Sequence, residues 1–306
     1  MDPLTVVLHP RHAPGVLEAL QRLPSIRVIA PTTEDEVRVA LAGSAVFITE
    51  VWRDEYLQPG LRWIQSHSAG CNQFPIQRLR QAGVVLTSAS GVHVVSAEHA
   101  IGLLLALTRD LQIATRDMAS SAWNPHVAAE VGGRTIVVAG LGEIGRAIVR
   151  RLAGWDVKLI GITRSPTAHA GVVNDVRPLR EFAAACEEAS ILMVALPAAA
   201  ETEHVVSARV LDALGRGWLV NVARGTLLDE AALVERLADG RLMGAGLDVT
   251  ESEPLASDSP LWRLPNVIIT PHMAGLSPRY GERLTLLMDH NVRAYHGFET
   301  WRNRIT

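Results

Sequence analysis

Two doubly wound parallel-sheet α/β domains are the expected architecture, and three observations predict it. The chain has 306 residues, roughly twice a usual domain length. Short β-branched runs alternate with helical patterns along its length. A glycine-rich turn, Gly140-Leu141-Gly142-Glu143-Ile144-Gly145, stands between a strand pattern and a helix pattern.

In order, the strand patterns of the first half are Leu4 to Leu8, Ile26 to Ala30, Ala45 to Thr49, Arg62 to Gln65 and Val84 to Thr87. Helix-like segments separate them, as crossover units of a parallel sheet require. From Val94 to Met118 the pattern becomes one long helix, with Ile101, Leu104, Leu105, Thr108 and Leu111 at helical spacing, and it is expected to bridge the domains. Six further strands come after it: Arg134 to Ala139, Val157 to Thr163, Ile191 to Leu196, Trp218 to Val222, Met243 to Val249 and Val267 to Thr270. The final helix, Pro278 to His296, is placed back on the first domain. Residues 1–96 with 277–306 therefore form one discontinuous domain and residues 97–276 the other.

Hydrophobic residues at 48%, charged residues at 20% and a net charge of −3 give no electrostatic reason to expect nucleic acid or an anionic membrane. Cys71 and Cys186 are the only cysteines, so neither a disulfide framework nor a multi-cysteine metal site is expected. Met1 to His12 has no leader pattern and no apolar run reaches membrane-spanning length, which points to the cytoplasm.

With a strand before it and a helix after it, the glycine turn is a dinucleotide-binding signal. Gly140 permits the tight turn, Gly142 lets the backbone approach a pyrophosphate, and Gly145 allows close packing, while Glu143 and Ile144 open the helix. In NAD-binding units the second strand usually ends in an acid; here that end reads Thr163-Arg164-Ser165. Arg164 and the two hydroxyls can hold a 2′-phosphate, which favours NADP with NAD still possible. Alternatively, Arg164 is an ordinary solvated loop arginine.

Three later segments each end a strand: Val220 to Thr226, Gly246 to Leu255 and Asn266 to Gly275. In an open parallel sheet those ends border the ligand crevice, so an arginine, a carboxylate and a histidine can meet on one substrate. Each alone has an ordinary reading as a turn cap, a loop acid or a structural histidine.

The sequence resembles the D-isomer-specific 2-hydroxyacid dehydrogenase family from about Arg62 to the final helix. Val95 to Ala100, the glycine turn, the three strand-end segments in order and Ser259 to Trp262 carry the resemblance. It implies a Rossmann cofactor domain beside a smaller flavodoxin-like substrate domain, and a small 2-keto or D-2-hydroxy acid as substrate. Glyoxylate and hydroxypyruvate are the expected keto acids. Arg224, Glu253 and His272 correspond to the family's catalytic three, with Asp248 near the nicotinamide amide and Leu196, Pro197, Val222 and Ala223 beside the cofactor. Arg224 and His272 also count as substrate contacts.

The chemistry suits these types: hydride addition to a ketone leaves negative charge on oxygen, so His272 donates a proton while Arg224 holds the carboxylate. A carboxylate at Glu253 orients His272 and favours its charged form. In the first domain, Ser66 to Asn72 resembles the family's carboxylate-binding loop, with Ser68, Ala69 and Gly70 as backbone contacts and Trp52 a candidate pocket wall. Asn72 stands where relatives usually carry aspartate. His99, His290 and His296 have no such support and are read as structural.

By resemblance the chain is expected to be a homodimer, with Trp123 in its interface. Two alternatives remain at this point. Corepressors of similar sequence sense a dinucleotide on the same fold, although no basic tail or disordered arm appears here. Formate dehydrogenases pair their histidine with glutamine, where this chain has Glu253.

Overall fold

The computed structural model describes residues 3–306; Met1 and Asp2, at the start of the stretch read for a leader, lie outside the described residues. The chain divides into two compact units, Met1–His93 with Gly275–Thr306, and Val94–Ala274.

The first unit holds strands β1 Leu4–Leu8, β2 Ile26–Ile29, β3 Val46–Ile48, β4 Trp63–Gln65 and β5 Val85–Thr87, and helices α1 Val16–Gln21, α2 Glu34–Leu41 and α3 Ile76–Gln81. The strands are parallel in the order β2-β1-β3-β4-β5, the flavodoxin-like arrangement, with its switch point between β1 and β3. Alternation along each strand feeds two cores. Val6, Leu8, Val46 and Ile48 pack with Val16 and Leu20 of α1 on one face. Val7, Phe47 and Ile64 pack with Val37 and Leu41 of α2 and Leu79 of α3 on the other.

The second unit holds α4 Ser96–Thr108, α5 Leu111–Ala119, β6 Thr135–Ala139, α6 Glu143–Leu152, β7 Lys158–Thr163, β8 Asp175–Pro178, α7 Phe182–Glu187, β9 Ile191–Val194, α8 Ala208–Leu214, β10 Trp218–Asn221, α9 Glu230–Ala238, β11 Gly244–Leu247 and β12 Val267–Ile269. All seven strands are parallel, in the order β12-β11-β10-β9-β6-β7-β8. Both faces are covered, Val137 and Ala139 of β6 facing one core and Ile136 and Val138 the other. That two-sided burial is why these strands read as continuous apolar runs.

Two expectations need correction. The segment read as one long helix is two, because Asp110 adopts a left-handed conformation, φ 54°, between α4 and α5. An aspartate tolerates that conformation better than most residues, and Thr108 at the break turns its hydroxyl back onto the Leu104 carbonyl at 2.9 Å. Leu111 accordingly leaves the apolar stripe and is 52% exposed. The sheet also has seven strands rather than six. The extra edge strand, β8, is polar and ends in Pro178; Arg177 pairs with both Asp175 and Glu188, at 2.7 Å each. Charge and proline suit an edge that must not recruit further strands, and they hide it from a search for apolar runs.

The last helix, α10 Tyr280–Tyr295, belongs to the first unit, where Leu284, Met288 and Val292 join the α1 core. Beyond it Ile305 donates its N–H to the Leu86 carbonyl at 2.8 Å, so the C-terminal tail covers β5. Among the described residues no helix is long and apolar enough to cross a membrane, and no group of side chains could hold a metal ion.

Candidate active site

β6 runs into Gly140, whose φ of +98° excludes ordinary side chains. A Cβ there would stand 2.5 Å from the Ala195 carbonyl oxygen and 2.7 Å from Leu196 N, so the chain leaving β9 closes against the turn. At Gly145 a Cβ would overlap the Gly140 carbonyl oxygen. Gly142, which caps α6, meets only open space. The turn thus leaves room over the N-terminus of α6, where unpaired N–H groups attract an anion, at the β6/β9 switch point of the sheet. Glu143 is exposed there and Ile144 half-buried. This cradle fits a dinucleotide pyrophosphate.

Around the same C-terminal edge, Leu196 and Pro197 come after β9, and the buried Val222 and Ala223 come after β10. Asn221, fully buried at the end of β10, bends the chain that leads to Arg224. Its Oδ1 accepts from Ala223 N at 3.0 Å and its Nδ2 donates to the Arg224 carbonyl at 2.9 Å. Arg224 itself is half-buried and donates through Nη1 to the Ala223 carbonyl at 2.6 Å, which leaves other N–H groups for an anion.

Gly225 lies directly under Thr250, so close that a Cβ would overlap the Thr250 carbonyl. The contact seats the arginine turn on the loop that carries Glu253. In that loop the Thr250 hydroxyl donates to the Ser252 carbonyl at 2.8 Å, and Glu253 Oε2 meets His272 Nδ1 at 2.7 Å. His272 sits in the left-handed region, φ 50°, with its N–H donated to the Asp248 carbonyl at 2.8 Å. Its Nδ1 is engaged by the carboxylate, so its Nε2 is the atom available to a substrate.

Asp248 does more than border the cofactor crevice. Its buried carboxylate accepts from the Thr270 hydroxyl at 2.6 Å and from Met273 N and Ala274 N at 2.9 Å each. His99 of α4 reaches the same Thr270 oxygen at 2.9 Å. Asp248 and Thr270 therefore clamp the turn that presents His272.

At the other end of the crevice Thr163 is buried, Ser165 is exposed, and Arg164 is bound to Glu201 at 2.5 Å. In the first unit, Ser68, Ala69 and Gly70 come after β4. The Tyr280 hydroxyl of α10 donates to the His67 carbonyl, and His93 Nε2 lies 3.1 Å from the same oxygen. Ser68 donates to Glu50 at 3.2 Å, and burial pushes the His67 imidazole below its ordinary range despite the Glu50 carboxylate 3.5 Å away. Trp52 is half-buried against Phe74 and Tyr56, and its indole N–H is spent on Asp54 at 3.2 Å. Asn221, Thr270, Glu50 and Glu201 escaped the reading of the sequence. Asn221 and Thr270, each inside a strand-end segment already singled out, carried a usable signal.

A family model described as "D-isomer specific 2-hydroxyacid dehydrogenase, NAD binding domain" matches residues 101–274. The chain belongs to this dehydrogenase family. A glyoxylate reductase of Thermofilum pendens is 32% identical over 247 residues, 77% of this chain and 72% of that protein. A glyoxylate/hydroxypyruvate reductase A of Arabidopsis thaliana is 32% identical over 242 residues, 78% of this chain and 76% of that one. The crystal structure of an NADPH-dependent glyoxylate/hydroxypyruvate reductase from Sinorhizobium meliloti, in complex with citrate, has a TM-score of 0.84 at 29% identity, covering 99% of this chain and 98% of that chain.

The Gly225 contact yields a direct test. Gly225→Ala should destabilise the protein by about 1–3 kcal/mol, the usual cost of forcing atoms into a packed site, and should also lower activity by moving Arg224 against Glu253. Urea unfolding of the purified variant reads the first effect. A wild-type midpoint would mean that the two loops tolerate separation.

Proposed function

We propose that this protein reduces glyoxylate, hydroxypyruvate or a similarly small 2-keto acid to the D-2-hydroxy acid, preferring NADPH. The observation that carries the reading is the 2.7 Å His272–Glu253 pair on the same strand edge as the dinucleotide cradle. A bound nicotinamide dinucleotide supplies the hydride. As hydride reaches the keto carbon, the C=O π electrons move to oxygen, and imidazolium His272 delivers its Nε2 proton there. Glu253 stabilises that imidazolium and fixes the ring. Arg224 holds the substrate carboxylate and draws charge toward the developing alkoxide. In the oxidative direction neutral His272 takes the proton back.

Arg164, with no acid at the end of β7, supports the preference for NADPH. The two cysteines are buried and not joined to each other in a disulfide, which suits a cytoplasmic location. A homodimer is supported by α5 and the segment after it. No residue of α5 is buried, Met118 is 74% exposed, and Trp123 and Val127 are 93% and 99% exposed. So large an apolar surface suits a second copy of the chain.

Three measurements test these statements. A matrix of glyoxylate, hydroxypyruvate and phenylpyruvate against NADPH and NADH should give the highest kcat/KM with a small acid and NADPH. Preferred phenylpyruvate or NADH would reject the corresponding choice, and no turnover with any pair would favour a dinucleotide-sensing, corepressor-like role.

His272→Ala should depress both directions by about 100-fold or more. Glu253→Gln should lower kcat in both directions by about 10-fold or more, because His272 loses the carboxylate that orients its ring. An unchanged kcat in Glu253→Gln, or an active His272→Ala enzyme, would reject the acid–base pair. Arg224→Lys keeps the charge but loses the planar fork, so KM should rise and kcat fall.

For assembly, sedimentation velocity should find a dimer that Trp123→Glu splits. A monomeric wild type would end that proposal.

A further inference from the structure

Glu201 lies in a short 3-10 turn, Ala200–Thr202, after β9. Thr202 fixes that turn: it is 1% exposed, its hydroxyl donates to the Pro197 carbonyl at 2.9 Å and accepts from Ala199 N at 2.8 Å. The Glu201 carboxylate is thereby held where it meets Arg164 Nη1 at 2.5 Å. Arg164 leaves the end of β7, and β7 and β9 are the strands on either side of β6. The ion pair therefore joins the two chain segments that flank the glycine turn after β6. Both partners are more than half exposed, so the pair is worth little to folding. Its position matters more than its strength.

The geometry points to Glu201 as a residue that sets cofactor specificity by competing with a 2′-phosphate for Arg164. The inference rests on the reading of Arg164 as the 2′-phosphate contact. To bind NADPH, Arg164 must exchange a carboxylate for a phosphate, and the doubly charged phosphate then lies within a few ångströms of Glu201. NADH meets a different situation. Its 2′-hydroxyl can donate to the Glu201 carboxylate, which thus supplies from the β9 side the acid that the end of β7 lacks. One ion pair serves both cofactors, and Glu201 narrows the advantage that Arg164 alone would give NADPH.

The test is equilibrium binding of NADPH and NADH, by calorimetry, to the full-length wild type, Glu201→Gln, Arg164→Ala and the double variant. Glutamine keeps an acceptor for the ribose but removes the charge. Glu201→Gln should raise the NADPH:NADH affinity ratio by about 3- to 10-fold, the effect of one negative charge roughly 6 Å from a phosphate in a solvated site. The gain should shrink in the Arg164→Ala background, where only the direct repulsion between carboxylate and phosphate is left. A ratio that stays constant or falls in Glu201→Gln would overturn the role of Glu201, the latter because the carboxylate would then be orienting Arg164 for phosphate. A gain of the same size in the Arg164→Ala background would overturn the competition. The wild-type ratio separately tests the NADPH preference, so either idea can fail without the other.

Discussion

A buried carboxylate organises the reacting end of the second unit. Asp248 is 2% exposed, and an ionised group so placed is costly unless it is fully hydrogen-bonded. Its partners are a hydroxyl and two successive backbone N–H groups from the segment after β12, with His99 Nε2 of α4 3.5 Å away, so three of the four contacts to the charge form when that segment folds back over the end of β11. The turn this enforces puts His272 in the left-handed region, where a histidine does not go unprompted. Satisfying a buried charge and presenting the His272 ring are the same local structure.

From that clamp the remaining geometry is built in steps. With the His272 backbone fixed, Nδ1 can take only one neighbour, and Glu253 fills the position. The loop of Glu253 is in turn seated on Gly225, where backbone meets backbone with no room for a side chain. Asn221 then bends the chain so that it leaves the core between Ala223 and Arg224. Each member of the proposed acid–base set is held by backbone contacts of a strand end. The parallel sheet brings those ends to one edge, and the apolar cores on its two faces keep them there.

How much of this was legible in the sequence depended on whether one residue or a relation between residues carried the information. The glycine turn was legible because tight turning and close approach each demand a residue without a Cβ at a fixed spacing. The apolar strands were legible because burial on both faces writes a continuous run. β8 was not, since its stability comes from Arg177 meeting Asp175 and Glu188, a relation no window of hydrophobicity reports. The break at Asp110 was hidden for a related reason: α5 continues an apolar pattern on residues that are exposed rather than packed in the core. Asp248 could be picked out as a strand-end acid, but its three donors belong to residues more than twenty positions later. Trp52 could be read either as a pocket wall or as an ordinary core or surface tryptophan, and its ring packs on Phe74 and Tyr56.

The two ends of the crevice use charge in opposite ways. At the reacting end the carboxylate of Asp248 is buried and saturated by hydrogen bonds, so its charge shapes backbone and is not available to a ligand. Glu253, 37% exposed, accepts from Thr250 N at 3.3 Å through Oε1 and turns Oε2 to one imidazole. At the other end, beyond β7 and β9, Arg164 and Glu201 are both more than half exposed and are paired with each other. Water screens such a pair, so a ligand can exchange one partner for another at small cost. Hydride transfer needs groups fixed to within fractions of an ångström, whereas recognising a cofactor tail needs groups that can let go. The buried Asp248 clamp on one side and the exposed Arg164–Glu201 pair on the other fit these two proposed tasks along a single sheet edge.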